Sequence, residues 1–265
     1  MFRQRLLTTL VLVPLVLLFL YYATNPIFAS LILIILVGCA LEWLPLVPLQ
    51  SLWMKFSFII LILGLTWLVQ YGFLYWLMVN LLLWVLILVA VLFFPKSQDV
   101  WGFRWVVVVA GVIVLPVFAQ SMISIHYLNQ GKALILYFLL LIWAADIGAY
   151  LIGRQWGRHK LIPAVSPGKT IEGSVGGLML SLFVSLGGYF YFHPQATVNW
   201  FVLAFATALI SILGDLFISI LKRRAKLKDT GHLLPGHGGV LDRLDSMIAA
   251  SPLFYCGLQF WAPGL

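Results

Sequence analysis

The chain has 265 residues, 63% of them hydrophobic and only 9% charged, with a formal charge of +8. A soluble domain carries about 25% charged residues, and a water-exposed fold of this length has no interior large enough to hide so much apolar surface; a soluble globular protein is excluded and lipid is the implied solvent. The positive charge does not mark a nucleic-acid binder, because the cations cluster in gaps between apolar runs; Cys39 and Cys256 lie inside such runs, with neither a disulfide framework nor zinc spacing.

Crossing a bilayer takes about 20 apolar residues. Without water the backbone has to bond to itself, so such runs are helices. Nine spans are expected, at 5–23, 27–46, 52–70, 72–94, 104–124, 132–152, 173–193, 197–220 and 244–262. The first follows Arg3 and Arg5 in the manner of a signal peptide. No small-residue cleavage site comes after it and a second apolar run begins at Ile27, so it reads as an uncleaved membrane helix. Asn25-Pro26 separates the first two spans, Pro45 and Pro48 end the second, Tyr71-Gly72 is a weak break between the third and fourth, and Pro95-Lys96 ends the fourth. The expected fold is all-α and polytopic. A cytoplasmic N-terminus puts fifteen of the sixteen Lys and Arg residues on the cytoplasmic side, with Lys132 alone outside, as the positive-inside bias demands.

The acids are unevenly spread. Residues 1–130 hold only Glu42 and Asp99, whereas Asp146, Glu172, Asp215, Asp229, Asp242 and Asp245 follow. Residues 1–130 therefore read as a transmembrane scaffold, and 131–265 as a catalytic membrane region with cytoplasmic loops at 153–172 and 221–243. The tryptophans read as interfacial anchors, and Glu42, His126 and His193 as boundary residues without a chemical role. No internal repeat is visible, which argues against an ion-coupled transporter built from duplicated halves.

The chemistry is concentrated in two stretches. Asp215 lies inside an apolar helix, where an ionised carboxylate is expensive unless paired or bound to metal. Ser219 and Lys222 follow on the same helical face, at i+4 and i+7. Asp242 and Asp245, with Arg243 between them, open the last helix. The intervening loop carries Lys222, Arg223, Arg224, Lys226 and Lys228 and ends in Pro235-Gly236-His237-Gly238-Gly239. Carboxylates from two helices suit a hard divalent cation, cations neutralise phosphate, and glycines let backbone N–H groups approach phosphate oxygens. This inventory fits nucleotidyl transfer, which needs positioning and charge stabilisation above all. Upstream, Asp146 sits at membrane depth, and Ser166-Pro167-Gly168-Lys169-Thr170 sets a lysine between hydroxyls, outside any P-loop frame. Gly173, Gly177, Ser181 and Ser185 then form a stripe for close helix packing, within the chain or between two copies in a homodimer.

These blocks resemble the phosphatidate cytidylyltransferase family. The resemblance lies in Ser219-Ile220-Leu221-Lys222-Arg223, Lys228-Asp229, Pro235 to Gly239 and Leu241-Asp242-Arg243-Leu244-Asp245-Ser246, and upstream in Ala145 to Tyr150 and Ser166 to Gly173. It covers roughly residues 143–246; the first 130 residues match only in being apolar helices. Where the family commonly reads Ser-Pro-Lys-Lys-Thr, this chain has Gly168, so the weight falls on Lys169. The resemblance implies CMP transfer from CTP to phosphatidic acid with Mg²⁺, alone or beside a second metal or a monovalent cation. It implies Asp215, Asp242 and Asp245 as metal ligands, with Lys169 and Asp146 completing the catalytic group. Ser166, Thr170, Lys222, Arg223, Lys228, His237, Gly238, Gly239 and Arg243 would bind CTP or lipid phosphate. The chain lacks the long polar N-terminal extension of eukaryotic relatives, so a bacterial inner membrane is the expected location. A cytidylyltransferase for another lipid phosphate, such as an archaeal ether lipid, is the nearest rival.

Overall fold

A computed structural model describes residues 14–47, 51–231 and 238–261. His237 and part of the expected first span lie outside the described residues. Helix α1 (14–22) is followed by α2 (Asn25–Trp43), α3 (Leu52–Val69), α4 (Phe73–Leu92), α5 (Arg104–Tyr127) and α6 (Gly131–Trp156). A short hairpin of β1 (Lys160–Ile162) and β2 (Ser166–Thr170) leads into α7 (Ile171–Phe192), α8 (Thr197–Arg224) and α9 (Leu241–Phe260). The hairpin is antiparallel, with Lys160 opposite Thr170 and Ile162 opposite Ser166. It structures a stretch that the sequence presents only as a polar loop.

The protein is an integral membrane protein of helical fold. Among the described residues, six stretches are long and apolar enough to cross a bilayer: Asn25–Leu46, Leu52–Leu92, Arg104–Tyr127, Gly131–Trp156, Ile171–Phe192 and Thr197–Arg224. The stretch Leu52–Leu92 takes in two of the expected spans and is broken by a 3-10 turn at Gln70–Gly72. A straight helix of its length, at 1.5 Å per residue, would measure about 60 Å, twice the hydrocarbon thickness. Helix α9 opens on Asp242, Arg243 and Asp245 and is too polar to qualify by the same measure.

Small residues set the closest helix contact. Gly148 on α6 meets the backbone of Gly176 and Gly177 on α7, and a methyl group at Gly177 would overlap the Ala145 carbonyl oxygen. Ser181 continues the stripe by donating to the Leu141 carbonyl at 3.0 Å. The stripe seen in the sequence is thus spent inside the chain, pressing α6 against α7. Helices α8 and α9 meet in the same fashion, with Gly214 against the Asp245 carbonyl and Ala249.

One hydrophobic core runs from Leu20 to Leu258 and crosses the division at residue 130 without a break. At its centre Phe217 of α8 is ringed by Trp43, Trp84 and Trp101, with centroids 6.3, 5.6 and 5.4 Å away. These tryptophans, and Trp200, are buried core residues, whereas Trp53, Trp67, Trp105 and Trp156 face outward. The reading of tryptophans as interfacial anchors therefore fails for the four that are buried. A large ring fills a gap between helices as readily as it seats at a headgroup. The Trp43 indole N–H also donates to the Val107 carbonyl at 3.1 Å, fastening α2 to α5.

Candidate active site

Three elements meet at the basic end of the bundle. Helix α8 brings Asp215, Ser219 and Lys222 on one face because seven residues make two turns. Helix α9 presents Asp242 and Asp245 in its first turns. The hairpin carries Lys169 on β2.

Two lysine–carboxylate pairs organise the site. The Lys169 ammonium stands 2.5 Å from Asp215 Oδ2, while the Ser219 hydroxyl donates to Asp215 Oδ1 at 3.2 Å. The Lys222 ammonium donates to Asp242 Oδ1 at 2.6 Å. Asp242 Oδ2 accepts from the Thr230 N–H at 2.8 Å and the Gly239 N–H at 3.1 Å, and lies 3.0 Å from the Thr230 hydroxyl. Asp242 thus ties together the two ends of the glycine loop. Gly238 beside it has φ of +81°, a left-handed conformation that favours glycine.

Asp245 is buried and accepts its own neighbour, the Ser246 N–H, at 2.7 Å. Asp146 is exposed on α6. Asp215 is held by Lys169 and Ser219, and Asp242 by Lys222 and the donors of the glycine loop. Both oxygens of Asp215 and both of Asp242 have partners within the chain, and these two acids stand with Asp245 on the adjoining helices α8 and α9.

Among the described residues no three acid, histidine or cysteine side chains form a ready coordination shell. Mg²⁺ does not need one. It keeps several waters and takes one or two carboxylates together with substrate phosphates. Asp215 on α8 and Asp242 and Asp245 on α9 are hard oxygen donors from adjoining helices and have the chemistry for such an ion.

The remaining sequence candidates fall into two groups. Arg243 and Lys228 are exposed at this end, and Ser166 is half-buried at the start of β2. Arg223 donates through Nε to the Val165 carbonyl at 3.3 Å, pinning the hairpin to the end of α8. Thr170 is buried and its hydroxyl accepts the Gly173 N–H at 3.1 Å, so it caps α7. Glu172 accepts the Arg158 and His159 N–H groups and lies 2.6 Å from His159 Nδ1, holding the chain between α6 and the hairpin.

Glu42 is the residue that sequence reasoning missed. Set aside as a boundary residue, it is buried at the end of α2 and reaches the start of α9. A lone acid at the end of an apolar run carries no local signal of partners almost 200 residues away.

Partly buried carboxylates paired with lysines stand at one end of an apolar bundle, the candidate site of a membrane-embedded enzyme. The chain belongs to the cytidylyltransferase family: the family model so described matches residues 3–261. The chain is 37% identical over 270 residues to the phosphatidate cytidylyltransferase of Pseudomonas aeruginosa, covering 100% of this chain and 98% of that one. It is 40% identical over 184 residues to the Haemophilus influenzae protein of the same name, 64% of each chain. Its likeness to the Staphylococcus aureus (strain COL) protein of that name is 45% over 128 residues, 47% of this chain and 48% of that one.

Proposed function

We propose that this enzyme transfers the cytidylyl group of CTP to phosphatidic acid, giving CDP-diacylglycerol and pyrophosphate, at the cytoplasmic face of a bacterial inner membrane. The observation that carries the reading is the joining of Lys169–Asp215 and Lys222–Asp242 at the basic end of a bundle whose whole sequence matches relatives named for that activity. CTP is water-soluble and the acyl chains of phosphatidic acid are in lipid, so the reaction belongs where a charged pocket meets the bilayer.

In the transfer, a lipid phosphate oxygen attacks the α-phosphorus of CTP. The bond from that phosphorus to the bridging oxygen breaks, and pyrophosphate leaves with the electron pair. A phosphate monoester dianion is already a nucleophile at neutral pH, so no side-chain base is required. Lys169 and Lys222 turn their ammonium groups to phosphate oxygens, and Arg243 adds a fixed cation; positioning and charge neutralisation are the main demands of phosphoryl chemistry. Asp215, Asp242 and Asp245 would hold Mg²⁺, which supplies charge neutralisation at the phosphates when bound. Asp242 orients Lys222 and the glycine turn.

The test is incorporation of labelled CTP into lipid by the purified protein in detergent, with phosphatidic acid and Mg²⁺. Label should enter lipid only when phosphatidic acid is present, and a chelator should stop it. A preference for an ether-lipid phosphate would overturn the substrate assignment. Full activity in chelator would remove the metal, and no activity in a folded sample would overturn the reading.

A further inference from the structure

Helix α9 begins without a cap of its own. Its N-cap residue is Val240, which has no side-chain oxygen to receive the unpaired N–H groups of the first turn. Glu42 supplies what Val240 lacks, from the end of α2. Its Oε1 accepts the Val240 N–H at 3.0 Å, and its Oε2 accepts the Leu241 N–H at 2.8 Å. The Thr230 hydroxyl lies 3.1 Å from the same Oε2. Glu42 as a whole is only 4% exposed, and a negative charge at a helix N-terminus is favourable.

The fit is close on both sides. A methyl group at Gly231 or at Gly239 would overlap the Glu42 carboxylate, so glycine at these two positions lets the chain close around it. Thr230 and Gly231 come before the segment 232–237, and Gly239, Val240 and Leu241 after it. Glu42 therefore fastens together the same two chain ends that Asp242 joins through the Thr230 and Gly239 N–H groups. Thr230 links the two acids, since its hydroxyl lies near Glu42 Oε2 and 3.0 Å from Asp242 Oδ2. A hydroxyl has one proton, so it donates to one carboxylate at a time.

We propose that Glu42 is a positioning residue for nucleotide binding: through Thr230 and the α9 N-terminus it fixes the Asp242–Lys222 pair and the glycine turn. The inference rests on the cytidylyltransferase reading. It makes the N-terminal helices part of the site's geometry.

The experiment compares wild-type protein with Glu42→Gln, Glu42→Asp and Thr230→Val, measuring KM separately for CTP and for phosphatidic acid, alongside thermal unfolding. Glutamine keeps the shape, but either orientation turns its NH₂ toward an N–H or O–H donor, leaving donors unpaired. The KM for CTP should rise about tenfold or more in Glu42→Gln at a temperature where it is folded, while the KM for phosphatidic acid stays within about twofold. Glu42→Asp should recover part of the loss. Thr230→Val should show the same split, and the double variant Glu42→Gln/Thr230→Val should be no worse than Glu42→Gln within about twofold, because coupled residues are not additive. An unchanged KM for CTP in folded Glu42→Gln, or a loss that follows only the unfolded fraction, overturns the inference. If Glu42→Gln does not fold, Thr230→Val decides by the same split. An inactive wild-type protein would instead refute the assigned reaction.

Discussion

Replacing Asp242 with asparagine tests the site most directly. The carboxylate uses both oxygens: one faces Lys222 at 2.6 Å, and the other receives the Thr230 and Gly239 N–H groups. Asparagine has the same shape but a single oxygen. If that oxygen stays with the loop, the NH₂ points at the Lys222 ammonium and the ion pair is gone. If it turns to Lys222, the loop N–H groups face a donor. The Lys222 and Asp242 side chains are only 15% and 6% exposed, so the loss is far larger than at an open surface. Breaking a buried pair costs about 3–5 kcal/mol. Allowing for the residual exposure of Lys222, about 2–3 kcal/mol is expected here. At 1.36 kcal/mol per factor of ten, this is roughly a 30- to 160-fold fall in kcat/KM for CTP when the geometry serves the reaction. The assay is transfer of labelled CMP to lipid, with size-exclusion in detergent as the check on folding. A monodisperse Asp242→Asn protein within about threefold of wild type would refute the role given to this acid.

Lys169→Met should leave Asp215 without its cation and lower turnover by about 100-fold or more, with Lys169→Arg retaining part of the activity; equal activities in all three proteins would remove Lys169 from the site. Thr170→Ala should lower stability by about 1 kcal/mol through loss of the α7 cap and leave the KM for CTP unchanged, as measured by thermal unfolding and kinetics; a selective rise in that KM would make Thr170 a substrate contact. Gly177→Ala should destabilise by about 1–3 kcal/mol, read as a lower unfolding temperature in detergent, because its methyl group meets the Ala145 carbonyl oxygen.

The sequence displays membrane character because apolar runs of span length, repeated along one chain, are stable only in lipid. The charged motifs are legible for a related reason: Asp215 inside an apolar helix, and Asp242 and Asp245 at the head of another, are costly without a task. What the chain order hides is pairing across distance. Lys169 and Asp215 are both conspicuous, yet nothing local says that they meet. Asp242 is conspicuous as an acid at a helix start, yet nothing local says that the Thr230 and Gly239 N–H groups reach it. Thr170 is conspicuous as a hydroxyl beside a lysine, yet only the start of α7 shows that it also caps a helix. Trp43 and Trp53 are alike in sequence, yet one is buried against Phe217 and the other is 82% exposed.

The glycine contacts between α6 and α7 also limit how the enzyme can move. Where backbone lies against backbone, displacement of one helix along the other by a single residue, about 1.5 Å, would bring side chains into spaces that only hydrogen atoms fit. The two helices behave as a stiff bracket, and the turn they carry holds Lys169 at a constant height. Helices α8 and α9, closed on one another at Gly214, form a second such bracket, so adjustment to substrates of different girth has to come from between the two pairs and not from sliding within either.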